Sequence, residues 1–334
     1  MGELSFSFII PVYNRPEEIK ELLDSFLDVE SVEDHEIVIV EDGSSVTSEA
    51  IVNTFNERLN ISYYTKENTG PGDSRNFGMK KAKGNYFIIL DSDCLLPPDY
   101  LMNVVNSLEK EYVDCFGGPD AAHESFSNLQ KAIDFTMTSF ITTGGIRGNK
   151  QSVDEFQPRS FNMGLSKKAF EATRGFGNIH PGEDPDLSIR LKKLGFETKL
   201  IPEAYVYHKR RISWSKFYKQ VSKFGMTRPI LNSWYPETRK LTYWFPTVFS
   251  SAFIVAIISL ILGQQLPILF FVTYFGLAFI LALIKNNIGV ALMVIPTIVI
   301  QFFGYGWGFL KSTLTLASSR KSPEQLFPHL FFEI

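Results

Sequence analysis

Two carboxylates one residue apart, Asp91 and Asp93, follow directly on the apolar run Tyr86-Phe87-Ile88-Ile89-Leu90. Oxygen ligands at that spacing can share a divalent cation with substrate phosphates. The same D-x-D pattern after a strand also serves as a helix cap or a solvated turn. A second acidic group is Gly182-Glu183-Asp184-Pro185-Asp186. It reads as a helix start, with Asp184 at the cap and Pro185 at the first helical position. Further candidates are the turn Val40-Glu41-Asp42-Gly43-Ser44, the glycine-rich Asn68-Thr69-Gly70-Pro71-Gly72 with Arg75 beyond it, and His208. Each has an ordinary structural alternative: an Asp-Gly turn for Asp42, a surface ion pair for Arg75, a structural histidine for His208.

These groups need elements that hold them in place. Tyr86 to Leu90 has no polar alternation, as in a strand buried on both faces of a parallel sheet. Ligands of open α/β sheets bind beyond the carboxyl ends of strands, which is where Asp91 falls. Phe6 to Val12, Glu36 to Val40 and Ile61 to Tyr64 read as strands. Helices follow Pro16, Ser48, Gly72 and Pro97-Pro98, the third closed by Lys80, Lys81, Lys83 and Gly84. The alternation β-α-β-α-β-α-β-α predicts a mostly parallel sheet covered by helices on both faces. The glycine turn lacks the Gly-Lys-Ser/Thr of a phosphate loop and the Gly-x-Gly-x-x-Gly of a dinucleotide fingerprint. Further on, Asn128 to Thr143 reads as one amphipathic helix and Gly144-Gly145-Ile146-Arg147-Gly148 as a mobile loop. Phe161 to Leu165 reads as a strand, Lys167 to Thr173 as a short helix and Lys199 to Ile201 as a last strand.

The 334 residues carry a net charge of −3, which gives no overall signal for a polyanionic partner. Cys94 and Cys115 form neither a disulfide framework nor a C-x-x-C motif and suit a reducing compartment. Phe6 to Val12, stopped by Pro11, is too short for a secretory signal, so the N-terminal part is expected in the cytosol. Nucleic-acid binding has no support beyond one local basic run. That run, Lys209 to Lys240, interleaves nine Lys and Arg residues with Trp214, Phe217, Tyr218, Phe224, Trp234 and Tyr235, against the single acid Glu237. It reads as an interfacial segment on anionic lipid, or as a solvated helical face. Three apolar stretches follow, Phe245–Leu262, Leu266–Ile284 and Ile288 to about Leu310, with Lys285 the only charge between Leu241 and Leu310. Each approaches the roughly 20 residues of a bilayer span. The third, interrupted by Pro296 and glycines 304, 306 and 308, reads either as a span or as a re-entrant or interfacial segment. The basic run sets the preceding domain on the cytoplasmic side.

Pro11-Val12-Tyr13-Asn14, the Asp42 turn, the Gly70 turn with Arg75-Asn76, Leu90-Asp91-Ser92-Asp93 and Gly182 to Leu187 occur in an order that resembles family 2 glycosyltransferases over about the first 210 residues. The resemblance implies a GT-A fold and inverting transfer from a nucleotide-sugar, a UDP-sugar favoured, with Mg2+ or Mn2+. It implies a donor site of Pro11, Tyr13, Asn14, Glu41, Asp42, Gly70, Arg75, Asp91 and Ser92, although Glu41 stands where Asp is commonest. Asp91, Asp93 and His208 would hold the metal, with Asp184 the general base and Glu183 or Asp186 in reserve. The membrane tail resembles that of members acting on lipid-linked or envelope-glycan acceptors. Polymer-forming members carry Gln-x-x-Arg-Trp; here Arg210-Arg211-Ile212-Ser213-Trp214 has the wrong spacing, so single addition is expected rather than processive synthesis. A catalytically silent nucleotide-sugar-binding module is the remaining alternative. The expected class is thus α/β, a GT-A Rossmann-like mostly parallel sheet flanked by helices, followed by an all-α transmembrane region. The expected divisions are 1–208 catalytic, 209–243 basic and interfacial, 244–317 transmembrane and 318–334 tail. A multi-pass inner- or plasma-membrane protein is implied, with membrane lipids, donor and acceptor as partners and no nucleic acid.

Overall fold

The computed structural model describes residues 3–30, 35–144, 156–209 and 213–332. Residues 145–148 of the expected mobile loop and Arg210 to Ile212 lie outside the described residues. The chain divides into two compact units. One comprises residues 1–123, 145–209 and 331–334, the other residues 124–144 and 210–330.

Among its described residues the first unit has ten strands: β1 (Phe6–Val12), β2 (His35–Asp42), β3 (Ile61–Lys66), β4 (Tyr86–Leu90), β5 (Cys94–Leu95), β6 (Cys115–Gly117), β7 (Asp120–Ala121), β8 (Asn162–Ser166), β9 (Thr198–Leu200) and β10 (Val206–His208). Seven of them form one sheet in the order β3-β2-β1-β4-β8-β6-β9. Pairing is parallel from β3 through β4 and again between β6 and β9; β8 runs antiparallel to both of its neighbours. The sheet is therefore mixed, because β8 enters after a long excursion rather than through a crossover helix. Every residue of β1 and β4 is buried, which is why their sequences lack alternation. Two apolar layers result. Phe8, Ile10, Ile88 and Leu90 pack with Leu22, Phe26 and Tyr100 on one face. Ile9, Val38, Phe87 and Ile89 pack with Met79, Met163 and Leu187 on the other. At about 1.5–3 kcal/mol for each large apolar side chain buried, these layers supply the main force holding the sheet.

Parallel pairing brings the carboxyl ends of β1, β2 and β4 to one rim. Val12 pairs with Glu41 and Ile9 with Ile89, so Asp42 and Asp91 emerge beside the turn after β1. A separate three-stranded sheet, β5-β10-β7, has β10 at its centre. This short central strand was not legible in the sequence, since three residues carry no periodicity.

The second unit is helical. The segment expected as one helix over Asn128 to Thr143 is two, Asn128–Thr138 and Phe140–Thr143, because Ser139 adopts an extended backbone between them. Among the described residues, three helices are long and apolar enough to cross a membrane: Leu241–Ile261, Leu266–Lys285 and Ile288–Ser318. The last is continuous through Pro296 and all three glycines, 31 residues or about 46 Å at 1.5 Å per residue. Its glycines admit a neighbouring backbone instead of breaking the helix. A Cβ at Gly308 would sit 2.3 Å from the Ser222 carbonyl, and one at Gly225 would sit 2.1 Å from that of Tyr305. The basic helix Trp214–Trp234 is seated there, burying Phe217, Val221, Ile230 and Leu231. Arg228 of the basic run turns inward, bonding Asn232 at 3.1 Å and Thr238 at 2.9 Å with its guanidinium 4.4 Å from the Tyr243 ring centre. Lys216, Lys219, Arg239 and Lys240 stay exposed.

Candidate active site

The rim of the parallel strands is fixed by three turns that bond one another. Asn14, at a φ of 54°, accepts through Oδ1 from the backbone of Ser45 at 2.9 Å and of Val46 at 3.0 Å. Glu41 is buried and accepts from the Ser48 amide and the Tyr63 hydroxyl, each at 2.8 Å, and from the Ser44 hydroxyl. Both residues were expected at the donor; within the chain their side chains shape the turn. Asp42 is buried too. Its Oδ1 accepts from Thr69 N at 3.0 Å and Lys66 Nζ at 2.7 Å, and its Oδ2 accepts from Gly70 N at 3.0 Å. A carboxylate has about four acceptor positions, so one remains for a ligand N–H. Pro11 lies buried in β1, while Tyr13 is 52% exposed at the end of the strand. Gly70 precedes the helix Pro71–Lys81 with a φ of 92°, a conformation that excludes a side chain at little cost only in glycine.

Arg75, in that helix, is not the surface ion pair that its position allowed. It is 3% exposed. Its Nη2 donates to Asp91 Oδ1 at 2.7 Å and its Nη1 to Glu183 Oε1 at 3.1 Å. One guanidinium thus joins the D-x-D turn to the acidic helix Glu183–Lys193. Glu183 also lies 2.9 Å from His180 Nδ1. Burial acts to raise the Glu183 pKa, but the charges of His180 and Arg75 outweigh it and hold the group low and ionised. Asp184 behaves oppositely. Burial, then the neighbouring Glu183 charge, push its pKa up against the pull of Arg75 and Arg159. Its Oδ1 is buried with no hydrogen-bond partner among the described residues. The helix begins at Glu183 behind Gly182 and has no side-chain cap, so the expected capping geometry at Asp184 and Pro185 is not formed. The reason is the Gly182 φ of 128°, which lets the backbone enter the helix two residues early. Asp186 is committed elsewhere, to Arg190 at 2.7 Å.

The other end of the site is built by β10. Its pairing with β5 sets His208 against Cys94, and its pairing with β7 sets Val206 against Asp120. His208 Nε2 comes 3.2 Å from Asp93 Oδ1, and its Nδ1 lies 3.7 Å from Asp120 Oδ2. The imidazole stacks on Phe161 with centroids 4.9 Å apart. Asp93, His208 and Cys94 offer donor atoms within 4.8 Å of one another. The Cys94 thiol is pushed well above its ordinary pKa by burial and by Asp93, and donates to the Phe161 carbonyl at 3.4 Å. An oxygen of Asp93 and a nitrogen of His208 could hold a hard or borderline divalent ion. Arg15 also pairs with Asp93. Asp91 is turned toward Arg75, and Ser92 is buried between the two acids. Sequence reasoning missed Asp120, Arg15 and His180. Only a strand pairing of two or three residues places Asp120 by His208, and nothing in the composition marks it.

The family model of glycosyl transferase family 2 matches residues 7–173, half of the chain, and the chain belongs to that family. An uncharacterized glycosyltransferase of Rickettsia felis is 35% identical over 127 residues, 37% of this chain and 21% of the relative. Chondroitin synthase of Escherichia coli is 26% identical over 235 residues, covering 60% of this chain and 34% of that enzyme. Across five Rickettsia relatives the match spans 16% to 39% of the relative's length. Among solved structures, mannosyltransferase PcManGT from Pyrobaculum calidifontis, in complex with GDP-Man and Mn2+, superposes with a TM-score of 0.59 at 16% identity. That likeness covers 93% of this chain and 87% of the other. It is a likeness of fold, and the GT-A architecture expected from the motifs holds.

Proposed function

We propose that the protein transfers a sugar from a nucleotide-sugar, with inversion, to a hydroxyl of a lipid-linked or glycan acceptor at the cytoplasmic face of a membrane. The observation that carries this reading is Arg75, whose guanidinium bonds both the D-x-D turn and the acidic helix. It holds a candidate phosphate-binding end and a candidate base in one frame. The Gly70 turn with Asp42 and Tyr13 receives the nucleoside, and the family membership and the Mn2+-bound structural relative support the donor class.

Asp93 and His208 would hold Mg2+ or Mn2+, with Asp91 alongside. A bound divalent ion supplies positive charge to the departing diphosphate, which then leaves without a proton. Asp184 takes the acceptor proton. Its unpartnered oxygen and raised pKa suit a base, whereas Glu183 is consumed by Arg75 and His180. The acceptor oxygen forms the new bond to the anomeric carbon from the face opposite the diphosphate. The bond to the phosphate oxygen breaks, and its electron pair leaves with the nucleoside diphosphate. Three apolar helices and the exposed lysines of the basic helix support an acceptor held in the membrane.

The test is release of nucleoside diphosphate from UDP- and GDP-sugars with Mn2+ and membrane lipid extract; no release by folded protein sinks the proposal. The similarity to chondroitin synthase favours a second reading, a polymer synthase. Product chains that lengthen without release would select it.

A further inference from the structure

We propose that Phe332, from the far end of the sequence beyond the apolar helices, is a positioning residue for the nucleotide-sugar site. It fastens the Gly70 turn to the loop that carries His180 and Glu183. The inference rests on the donor-binding reading above and extends it to a residue outside every motif.

Phe332 is held on both sides of its backbone by one residue. Its amide donates to the Asn178 carbonyl at 3.0 Å, and Asn178 Nδ2 donates to the Phe332 carbonyl at 3.4 Å. Phe331 forms an antiparallel bridge with Ile179. Residues 331–332 thus lie as a short strand along residues 178–179. The Phe332 ring is aimed by this pairing in two directions. Toward the glycine turn it lies directly on Gly70, where a Cβ would sit 2.3 Å from the ring edge. Toward the acidic helix it faces the His180 imidazole, with centroids 6.0 Å apart and planes inclined by 52°.

Both surfaces lead into the site. The Gly70 amide donates to Asp42 Oδ2 at 3.0 Å, so the height of the turn sets the Asp42 carboxylate. His180 Nδ1 holds Glu183 at 2.9 Å, and Glu183 holds Arg75. Neither the Gly70 turn nor the loop over residues 176–182 belongs to the sheet; the start of the loop is tied to the helix after that turn by Asn76, whose Nδ2 donates to the Phe176 carbonyl at 2.9 Å and whose Oδ1 accepts from the Phe176 amide at 2.8 Å. The Phe332 ring, seated on Gly70 and against His180, adds a contact at the turn itself at low entropy cost, since it has two rotatable side-chain bonds. Removing it leaves the Asn76 tie in place and loosens the Gly70 turn over Asp42, which weakens a preorganised nucleotide site without touching the reacting atoms.

The experiment compares full-length wild type with Phe332→Ala, Phe332→Leu and Phe332→Tyr in detergent. Binding of UDP and GDP with Mn2+ is measured by calorimetry, alongside nucleotide-sugar turnover and melting temperature. We expect Phe332→Ala to lose about tenfold in nucleoside diphosphate affinity, with donor KM rising in step and kcat changed far less. Phe332→Tyr, which keeps the ring, restores binding to within about twofold, and Phe332→Leu falls between them. A merely structural role would lower the active fraction and the melting temperature with KM unmoved, and that result overturns the inference. So does faster turnover in Phe332→Ala, the mark of a ring that blocks the site. If Phe332→Ala fails to fold, the Leu and Tyr variants carry the same comparison. Wild type that binds neither nucleotide and releases none from any nucleotide-sugar overturns the donor reading itself. That outcome is distinct from wild type and Phe332→Ala binding equally well, which overturns only the role of Phe332.

Discussion

Replacing Asp184 by Asn keeps the volume and polarity of a buried side chain and removes its capacity to take a proton. In the structure this carboxylate has one oxygen without a partner among the described residues and a pKa raised by burial and by Glu183. A positioned general base contributes about 10²- to 10⁴-fold, which is about 3–5 kcal/mol of transition-state stabilisation. Asp184→Asn should therefore cut kcat by that factor while the affinity for nucleoside diphosphate stays within about twofold. The pH profile carries a second signature. Because the folded pKa lies above the ordinary aspartate value of 3.8, the acid limb of kcat sits above it, and Asp184→Asn removes that limb. Stability follows with the opposite sign from a salt-bridged carboxylate. Between the unfolded and the folded pKa the native state binds the extra proton, so the Asp184 contribution falls as pH rises through that window. At neutral pH the ionised group is a cost, and Asp184→Asn should melt at or above the wild-type temperature. The assay is stopped-time nucleoside diphosphate release with a parallel thermal melt. Retention of more than about a tenth of wild-type kcat refutes the assignment. A large drop in melting temperature refutes the energetic argument.

Arg75→Met strands Glu183 in the interior and Asp91 beside it; we expect a loss of about 3–5 kcal/mol in denaturant melts, toward the lower end because the Asp91 side chain is 31% exposed. Unchanged stability would show that the pairs are incidental. Asp120→Asn loosens the orientation of His208 and should weaken Mn2+ binding about 10- to 100-fold by titration, with turnover recovered at saturating Mn2+. Gly308→Leu places a side chain where a Cβ already meets the Ser222 carbonyl at 2.3 Å, so the helical unit should lose about 1–3 kcal/mol or more. An unaltered melt in detergent would contradict the close approach of the two helices.

The sequence made the rim of the sheet legible because its chemistry sits at the ends of uninterrupted apolar runs. Tyr86 to Leu90 could only be a buried strand, and Asp91 had to follow it. The strand at β8 was read within a residue of its bounds, but its antiparallel pairing and the short β10 were beyond reach, since a few residues paired across long sequence separations leave no period to read. For the same reason His208 was found as a lone histidine, while Asp120, its neighbour, was not found at all. Arg75 was placed on the correct helix, but spacing shows where a guanidinium starts and not which carboxylates it reaches. Asp184 was expected as a base, with a helix cap as the alternative from the familiar Asp-Pro pair; the left-handed Gly182 starts the helix two residues earlier, so that cap is not formed. The glycines of the third apolar helix were read as breaks, whereas in packed helices a missing side chain is room for a neighbour.

The central claim is that one frame, joined through Arg75, holds a donor end and a base. It is tested most directly by single-turnover release of nucleoside diphosphate from a panel of UDP- and GDP-sugars with Mn2+ and lipid extract, comparing wild type, Asp93→Asn and Asp184→Asn. The account predicts release by the wild type from one donor class, loss of metal-dependent donor binding in Asp93→Asn, and retained binding without turnover in Asp184→Asn. Folded wild type that releases nothing, or an Asp184→Asn variant as fast as the wild type, would contradict it.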